Sequence, residues 1–292
     1  MNTTTQTVTD LKLGLPKGRM SEGVLSLLKG AGISISFRGR EYRPEISLPD
    51  TTVKVFKPQN VIEMLSHGRR DVGFAGADWV TELQADLVEV LDTGLDPVRL
   101  VVAAPVGFNF LKNGSAAPVV VVSEYERITR NWIGQSGLNA EFIRSYGATE
   151  VFPPDDADVI VDNVATGSTL KANGLEIIDT IMTSSTRLYA SPAAMDNPST
   201  RPRIEDLAMV LKSVLDARRR VMLEINADAS SLDAVVAILP SMREATVSPL
   251  FRNSGFSVRA AVPRAQLPAL LPKLKLAGGT DIVVTSPDQI VA

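Results

Sequence analysis

Cysteine is absent from the 292-residue chain. That excludes a disulfide framework, a thiolate nucleophile and any Cys-ligated metal. Histidine occurs once, as His67 in Leu65-Ser-His-Gly68, so multi-histidine zinc sites are excluded and Ser-His-Asp catalysis has no basis. A cation-capable residue just before glycine at the end of an apolar-periodic segment reads as a helix terminus. Any metal is therefore expected to be Mg²⁺, held by carboxylates and substrate phosphates. Charge of one sign is also lacking, since the formal net charge is −3, which leaves no electrostatic footprint for nucleic acid. The one basic run, Arg218-Arg219-Arg220, follows a helical pattern and suits a solvated helix end. No apolar run is long enough to span a membrane. The first ten residues have neither a basic nor an apolar region of a signal peptide. The expectation is a cytoplasmic protein with a frayed N-terminus.

What is present is ordinary globular composition, 45% apolar and 22% charged, in a chain long enough for two or three domains. The most informative stretch is Asp158-Val-Ile-Val-Asp162-Asn-Val-Ala-Thr166-Gly167-Ser168-Thr169-Leu170. Its β-branched apolar run predicts a buried strand ending at Asp162. The following turn brings hydroxyls and backbone N–H groups to a helix start, an arrangement suited to a phosphate. Asp162 then stands where it would grip sugar hydroxyls beside that phosphate, which together suggest a phosphoribosyl group. Alternating side chains put Asp158 on the same face. The same residues also suit a plain strand–turn–helix corner capped by Thr and Ser.

Upstream, Leu11 to Leu15 alternates as a strand and runs into Pro16-Lys17-Gly18-Arg19. Two cations on a glycine-containing loop after a strand suit an anion site at a sheet edge, or simply a solvated loop. Thr52 to Phe56, a helix opened by Pro58, and Asp71 to Ala75 form a βαβ unit, hence a parallel sheet. Asp78 begins the next helix, either as a cap or facing a cleft. Ser123 and Glu126 match a capping box for a helix running to Gln135. Strands at Val98–Ala104 and Glu176–Met182 are expected to cross between lobes and form a hinged cleft, a plan shared by binding proteins and enzymes. The domain division expected is a first lobe of residues 1–99 and 180–202 and a second of 100–179. A linker helix, 203–218, precedes a βαββαβ, ferredoxin-like module at 219–292, suited to ligand sensing or assembly.

Taken together, these motifs resemble ATP phosphoribosyltransferase in its long form. Leu15-Pro-Lys-Gly-Arg19 is similar to that family's N-terminal loop, and Asp71-Val-Gly-Phe-Ala-Gly-Ala-Asp78 to its next segment. Ala157 to Leu175 resembles its phosphoribosyl pyrophosphate signature; Thr246-Val-Ser-Pro-Leu250 and Gly279 to Val284 resemble its regulatory signatures. The resemblance implies a bilobal fold like type II periplasmic binding proteins, with a C-terminal ferredoxin-like (ACT-like) regulatory domain. It also implies transfer of 5-phosphoribosyl to N1 of ATP, Mg²⁺ dependence, feedback inhibition by histidine, and dimers assembling into hexamers. Thr166, Gly167, Ser168 and Thr169 would hold the 5′-phosphate, and Asp162, with Asp158, the ribose. Lys17 and Arg19 would meet pyrophosphate or ATP phosphates, with Asp78 and Glu150 as further ATP-cleft residues. Alignment of the histidine pocket points to Asn226, Met242 and Thr246. Asn163 and Ala165 depart from the family's Leu and Ser, and the Pro153–Asp156 turn is about one residue short beside Glu150. Two other readings fit the plan: a non-catalytic bilobal binding protein, and a phosphoribosyltransferase acting on another base.

Overall fold

The computed structural model describes residues 10–39, 42–108 and 117–291. These form two compact units, one of residues up to Ser26 with Ile33–Ala208, the other of Leu27–Gly32 with Met209–Ala292. The first is built on an eight-stranded mixed sheet in the order β4-β1-β5-β10-β6-β9-β7-β8.

Strand β1 (Leu11–Pro16) pairs in parallel with both β4 (Thr51–Phe56) and β5 (Val72–Gly76). The crossover helix α2 (Pro58–Ser66) opens on proline, as its fixed φ favours. It closes at His67 with Gly68 at φ +61°, so the lone histidine does end a helix. Its stripe of Val61, Ile62 and Leu65 is fully buried. The contact is close because Gly14 and Gly73 face it: a Cβ on Gly73 would lie 2.7 Å from Val61 Cγ1. Helix α1 (Arg19–Gly30) follows β1, and a short hairpin of β2 (Ile35–Ser36) and β3 (Glu45–Ile46) precedes β4.

The centre of the sheet is an antiparallel pair, β6 (Val88–Pro105) and β10 (Leu175–Ala190). Both strands are far longer than their apolar runs predict. The extension is polar, and those polar groups are satisfied across the ladder. Thr93 Oγ1 donates to the Thr186 carbonyl at 2.5 Å, Ser185 Oγ to Asp92 at 2.7 Å, and Thr186 Oγ1 to Asp96 at 2.9 Å. Arg187 reaches Glu89 at 2.6 Å. Cross-strand pairs of this kind stabilise a ladder without apolar alternation.

On the far side lie β7 (Val119–Ser123), β8 (Ala140–Arg144) and β9 (Val159–Val164). β7 is parallel to both neighbours, whereas β9 runs antiparallel to β6. Val121, Val159 and Val161 pack on one face with Tyr125 and Ile128, while Val122, Ile160 and Val164 pack on the other with Leu170 and Leu175. Burial on both faces explains the unbroken apolar runs.

Helix α3 (Ala77–Glu82) follows β5, and α4 (Glu126–Ser136) follows β7. The capping box expected for α4 does not form. Ser123 Oγ instead donates to the Val161 carbonyl at 2.6 Å and accepts from Tyr125 N at 2.9 Å. The cap comes from elsewhere: Glu82 accepts from Arg127 N at 2.9 Å and Ile128 N at 3.0 Å.

In the second unit, β11 (Arg220–Ala227), α8 (Leu232–Ile238), β12 (Thr246–Pro249), β13 (Phe256–Pro263), α9 (Leu267–Leu276) and β14 (Thr280–Thr285) follow one another as βαββαβ. The sheet order is β12-β13-β11-β14, the ferredoxin-like arrangement expected. Val221, Leu223, Ile225 and Ala227 face the helices and bury against Val235, Leu270 and Leu274. Helix α5 (Ser168–Ala172) links β9 to β10, and α6 (Pro192–Asp196) and α7 (Arg201–Arg218) follow β10 and precede β11.

Candidate active site

The turn from β9 into α5 forms a polar cavity of about 270 Å³. Gly167 sits at the helix N-cap with φ +81°, a conformation that L side chains rarely adopt. The hydroxyls of Thr166 and Ser168 lie 3.0 Å apart, and Thr169 borders the same space. Arg19, the first residue of α1, and Glu150, on the 3₁₀ turn Thr149–Val151, complete the lining. A buried contact of 3.0 Å between the Ser145 and Thr149 hydroxyls anchors that turn. The short Pro153–Asp156 turn therefore does not keep Glu150 from the cavity.

Asp162 lies half-buried in the cavity wall, and Asn163 N donates to its Oδ1 at 2.7 Å. Burial pushes its carboxyl up from the ordinary 3.8 to about 6; the Asn163 N–H opposes the rise, and the charges of Glu150 and Glu124 add to it. This carboxylate sits among like charges, and a cationic partner would relieve it.

Asp158 is not its companion. Four residue steps of extended chain separate the two by about 13 Å, and Asp158 is engaged elsewhere. Its Oδ2 accepts from Val120 N at 2.9 Å while its own N–H donates to the Val120 carbonyl at 3.0 Å. Sharing a strand face did not mean sharing a site: Asp158 fastens the start of β9 to β7.

Lys17 borders neither this cavity nor its neighbour. Its backbone N–H donates to the Phe56 carbonyl at 2.7 Å, and its ammonium stands 5.8 Å from the Tyr42 ring centroid. Asp78 lies in a smaller adjoining cavity of about 80 Å³, which shares Arg19 and Asn163 with the first. The capping role is not taken up, since the helix has no side-chain cap, whereas the place beside a cleft is. Asp78 is buried, and its carboxylate accepts from Ser184 Oγ at 2.8 Å and from Tyr125 OH at 2.7 Å. The Tyr125 ring stacks at a tilt on Trp79, with centroids 4.6 Å apart. Asn163 Nδ2 then donates to Tyr125 OH at 2.9 Å. Sequence reasoning missed Tyr125, Ser184 and Trp79; Asn163 was visible only as a departure from a motif.

Within the second unit, Asn226 pairs with Ser257 and Ser257 with Ser248, so Asn226, Ser248 and Thr246 share the outward sheet face. Asn226 Nδ2 donates to Asp281 at 3.1 Å, an acidic neighbour the motif alignment did not mark. Met242, in the segment before β12, is 38% exposed. No grouping of three or more acidic or histidine side chains suited to a metal occurs among the described residues. No helix there is long and apolar enough to cross a membrane.

Comparisons with known proteins identify the family of the chain. Residues 57–213 match the model of the HisG family, ATP phosphoribosyltransferase, and residues 217–287 match the HisG C-terminal domain. The ATP phosphoribosyltransferase of Pelotomaculum thermopropionicum is 37% identical over 278 residues, covering 94% of this chain and 96% of its own. That of Pelodictyon phaeoclathratiforme is 36% identical, covering 96% and 97%. Among solved structures, a chain of the ATP phosphoribosyl transferase (HisG:HisZ) complex from Thermotoga maritima superposes with a TM-score of 0.63 at 28% identity. The match covers 70% of this chain and 98% of that one. A bilobal α/β catalytic part carrying a ferredoxin-like C-terminal domain is thus the long-form architecture. The chain belongs to the ATP phosphoribosyltransferase family, the pentosyltransferases of histidine biosynthesis.

Proposed function

We propose that the cavity between Arg19 and the Thr166–Thr169 turn holds the phosphoribosyl donor, and that Asp162 is its principal chemical group. The observation that carries this reading is the convergence in one space of a hydroxyl-rich helix start, a half-buried carboxylate and a cation. Thr166, Gly167, Ser168 and Thr169 bind the 5′-phosphate through hydroxyls and N–H groups. Asp162 accepts from the ribose hydroxyls, and its charge favours the cationic ring that develops as the bond to pyrophosphate loosens. Arg19 meets phosphate oxygens; Glu150 and Asp78 belong to the ATP side of the cleft. The attacking adenine N1 already carries a lone pair, so no strong general base is needed, and catalysis rests on orientation and preorganised charge.

The donor set fits Mg²⁺ only as an ion that arrives with substrate. Carboxylates are present at the cavity, yet the described residues offer no protein cage, so phosphate oxygens supply most of its ligands. When bound, the ion neutralises pyrophosphate and improves it as a leaving group. Within the same proposal, residues 1–99 with 180–202 and residues 100–179 are the two lobes of the cleft. The C-terminal module binds histidine as an inhibitor through Asn226, Met242 and Thr246, in a cytoplasmic homo-oligomer.

The test is incubation with ATP, phosphoribosyl pyrophosphate and Mg²⁺, following phosphoribosyl-ATP by ultraviolet difference, with and without histidine. Thr169→Ala is expected to raise KM for phosphoribosyl pyrophosphate about tenfold, the value of one hydrogen bond to a charged group. Asp162→Ala is expected chiefly to lower kcat. Wild-type kinetics in both variants would overturn the assignment.

A further inference from the structure

We infer that Asn163 is a substrate-contacting residue, whose side-chain carbonyl accepts a hydrogen bond from a hydroxyl or amino hydrogen of a bound substrate. The inference rests on the reading of the Asp162 cavity as the phosphoribosyl site and extends it to a position where the family motif carries leucine.

A phenol has a single hydrogen to donate. Tyr125 gives its hydrogen to Asp78 Oδ2 at 2.7 Å, a short bond to a carboxylate. Burial first, then the charge of Asp78 and this bond, hold the phenol far above its ordinary titration range, so it keeps that hydrogen. The oxygen of Tyr125 can then only accept from Asn163, and the group 2.9 Å away must be the amide nitrogen. Asp78 is itself fixed from behind. Ser184 Oγ donates to its Oδ1 at 2.8 Å and accepts from its backbone N–H at 3.0 Å. The chain Ser184–Asp78–Tyr125 thus sets the rotation of the Asn163 amide.

With the nitrogen committed, the carbonyl is left over. No described residue donates to Asn163 Oδ1, and Asn163 lines both the Asp162 cavity and the adjoining one beside Trp79. A half-buried acceptor at the junction of two adjoining cavities, oriented by three other side chains, is a built hydrogen-bonding position. Leucine there would leave Tyr125 bonded to Asp78 but provide no acceptor. The donor can come from either side: a ribose hydroxyl in the first cavity, or an amino group of the nucleotide in the second.

The experiment measures kcat and KM separately for phosphoribosyl pyrophosphate and for ATP in Asn163→Leu, Tyr125→Phe and the double variant, with thermal unfolding of each. Asn163→Leu should lose about five- to tenfold in kcat/KM, as expected for one neutral hydrogen bond. If KM rises for phosphoribosyl pyrophosphate, the donor is a ribose hydroxyl; if for ATP, it is the nucleotide amino group. Either result supports the contact. Tyr125→Phe frees the amide to rotate and should lose less in the same KM, and the double variant should be no worse than Asn163→Leu. Unchanged KM values in a normally folded Asn163→Leu would overturn the inference, as would a loss confined to the unfolding temperature. Thr169→Ala separates the two failures. If it raises KM and Asn163→Leu does not, only the contact is wrong; if neither does, the cavity itself has been misread.

Discussion

Glu82 is a carboxylate that one helix lends to another, and removing it should be costly. Its two oxygens are the acceptors for Arg127 N and Ile128 N at the start of α4. Tyr125, at the N-cap, offers that helix no side-chain acceptor. Glu82 is only 8% exposed, so water would not readily replace it. In Glu82→Ala both donors lose their partner, at about 1–3 kcal/mol for each buried group left unsatisfied. The helix start also loses an anion worth about 0.3–1 kcal/mol. Partial hydration lowers the sum to about 3 kcal/mol, which should drop the midpoint of thermal unfolding by roughly 6–12 °C. Glu82→Gln keeps one acceptor oxygen and turns an amide hydrogen toward the other N–H, for a loss of about 1–2 kcal/mol. Urea unfolding followed by far-ultraviolet circular dichroism gives both values. If Glu82→Ala unfolds within about 1 kcal/mol of wild type, or no more readily than Glu82→Gln, the cap is not what holds α4 in place.

Three further outcomes follow from the site and the sheet. Asp162 is raised to about 6 in the folded protein, so kcat/KM for phosphoribosyl pyrophosphate should fall about tenfold per pH unit below that value. Asp162→Asn should abolish this limb. The stability sign is opposite: the raised value means the folded state holds its proton more tightly than the unfolded, so stability is lost as pH rises from about 4 through 6. Asp162→Asn should therefore unfold at a higher temperature than wild type at pH 7 and lose that advantage below pH 4. At Gly73, an alanine Cβ would meet Val61 Cγ1 at 2.7 Å and the Gly14 carbonyl at 3.0 Å. Overpacking of this kind should cost about 1–3 kcal/mol in denaturant titration, with KM values unchanged; wild-type stability would show that α2 simply shifts aside.

The parts of the molecule legible in the sequence are those where one face or both are apolar. The βαβ unit around α2, the runs of β7 and β9 and the alternation of β11 all register as period or as unbroken hydrophobicity. The first half of β6 and the last half of β10 did not, because Asp92, Thr93 and Asp96 on one strand are satisfied by Ser185 and Thr186 on the other, and Glu89 by Arg187. That information lies in pairs of residues some ninety positions apart. The same blindness explains Glu82, whose capping role is set by tertiary contact while a local Ser–Glu spacing offered a false substitute. The Thr166–Thr169 cradle could be read locally because a strand, a turn and a helix start are consecutive in the chain. Asp158 could not be excluded that way. Alternation gives the face of a strand but not the length of the ligand that must be reached. Asn163 registered only as an anomaly, since its meaning depends on the proton of Tyr125.

The central pair β6 and β10 has a thermodynamic consequence. Each strand is continuous through the sheet: β6 contributes Leu100 and Val102 to the core around α4 while its first half pairs with β10, and that end of β10 pairs in turn with β5. The halves of the catalytic sheet therefore own no complete set of strands apart from each other. Neither can melt while the other keeps its edge, because the surviving half would expose an unpaired ladder and an uncovered apolar face. Two substrate-facing regions joined in this way have one shared free energy of unfolding. Damage to Gly73 on one flank should accordingly be felt in hydrogen exchange at Val121 on the other.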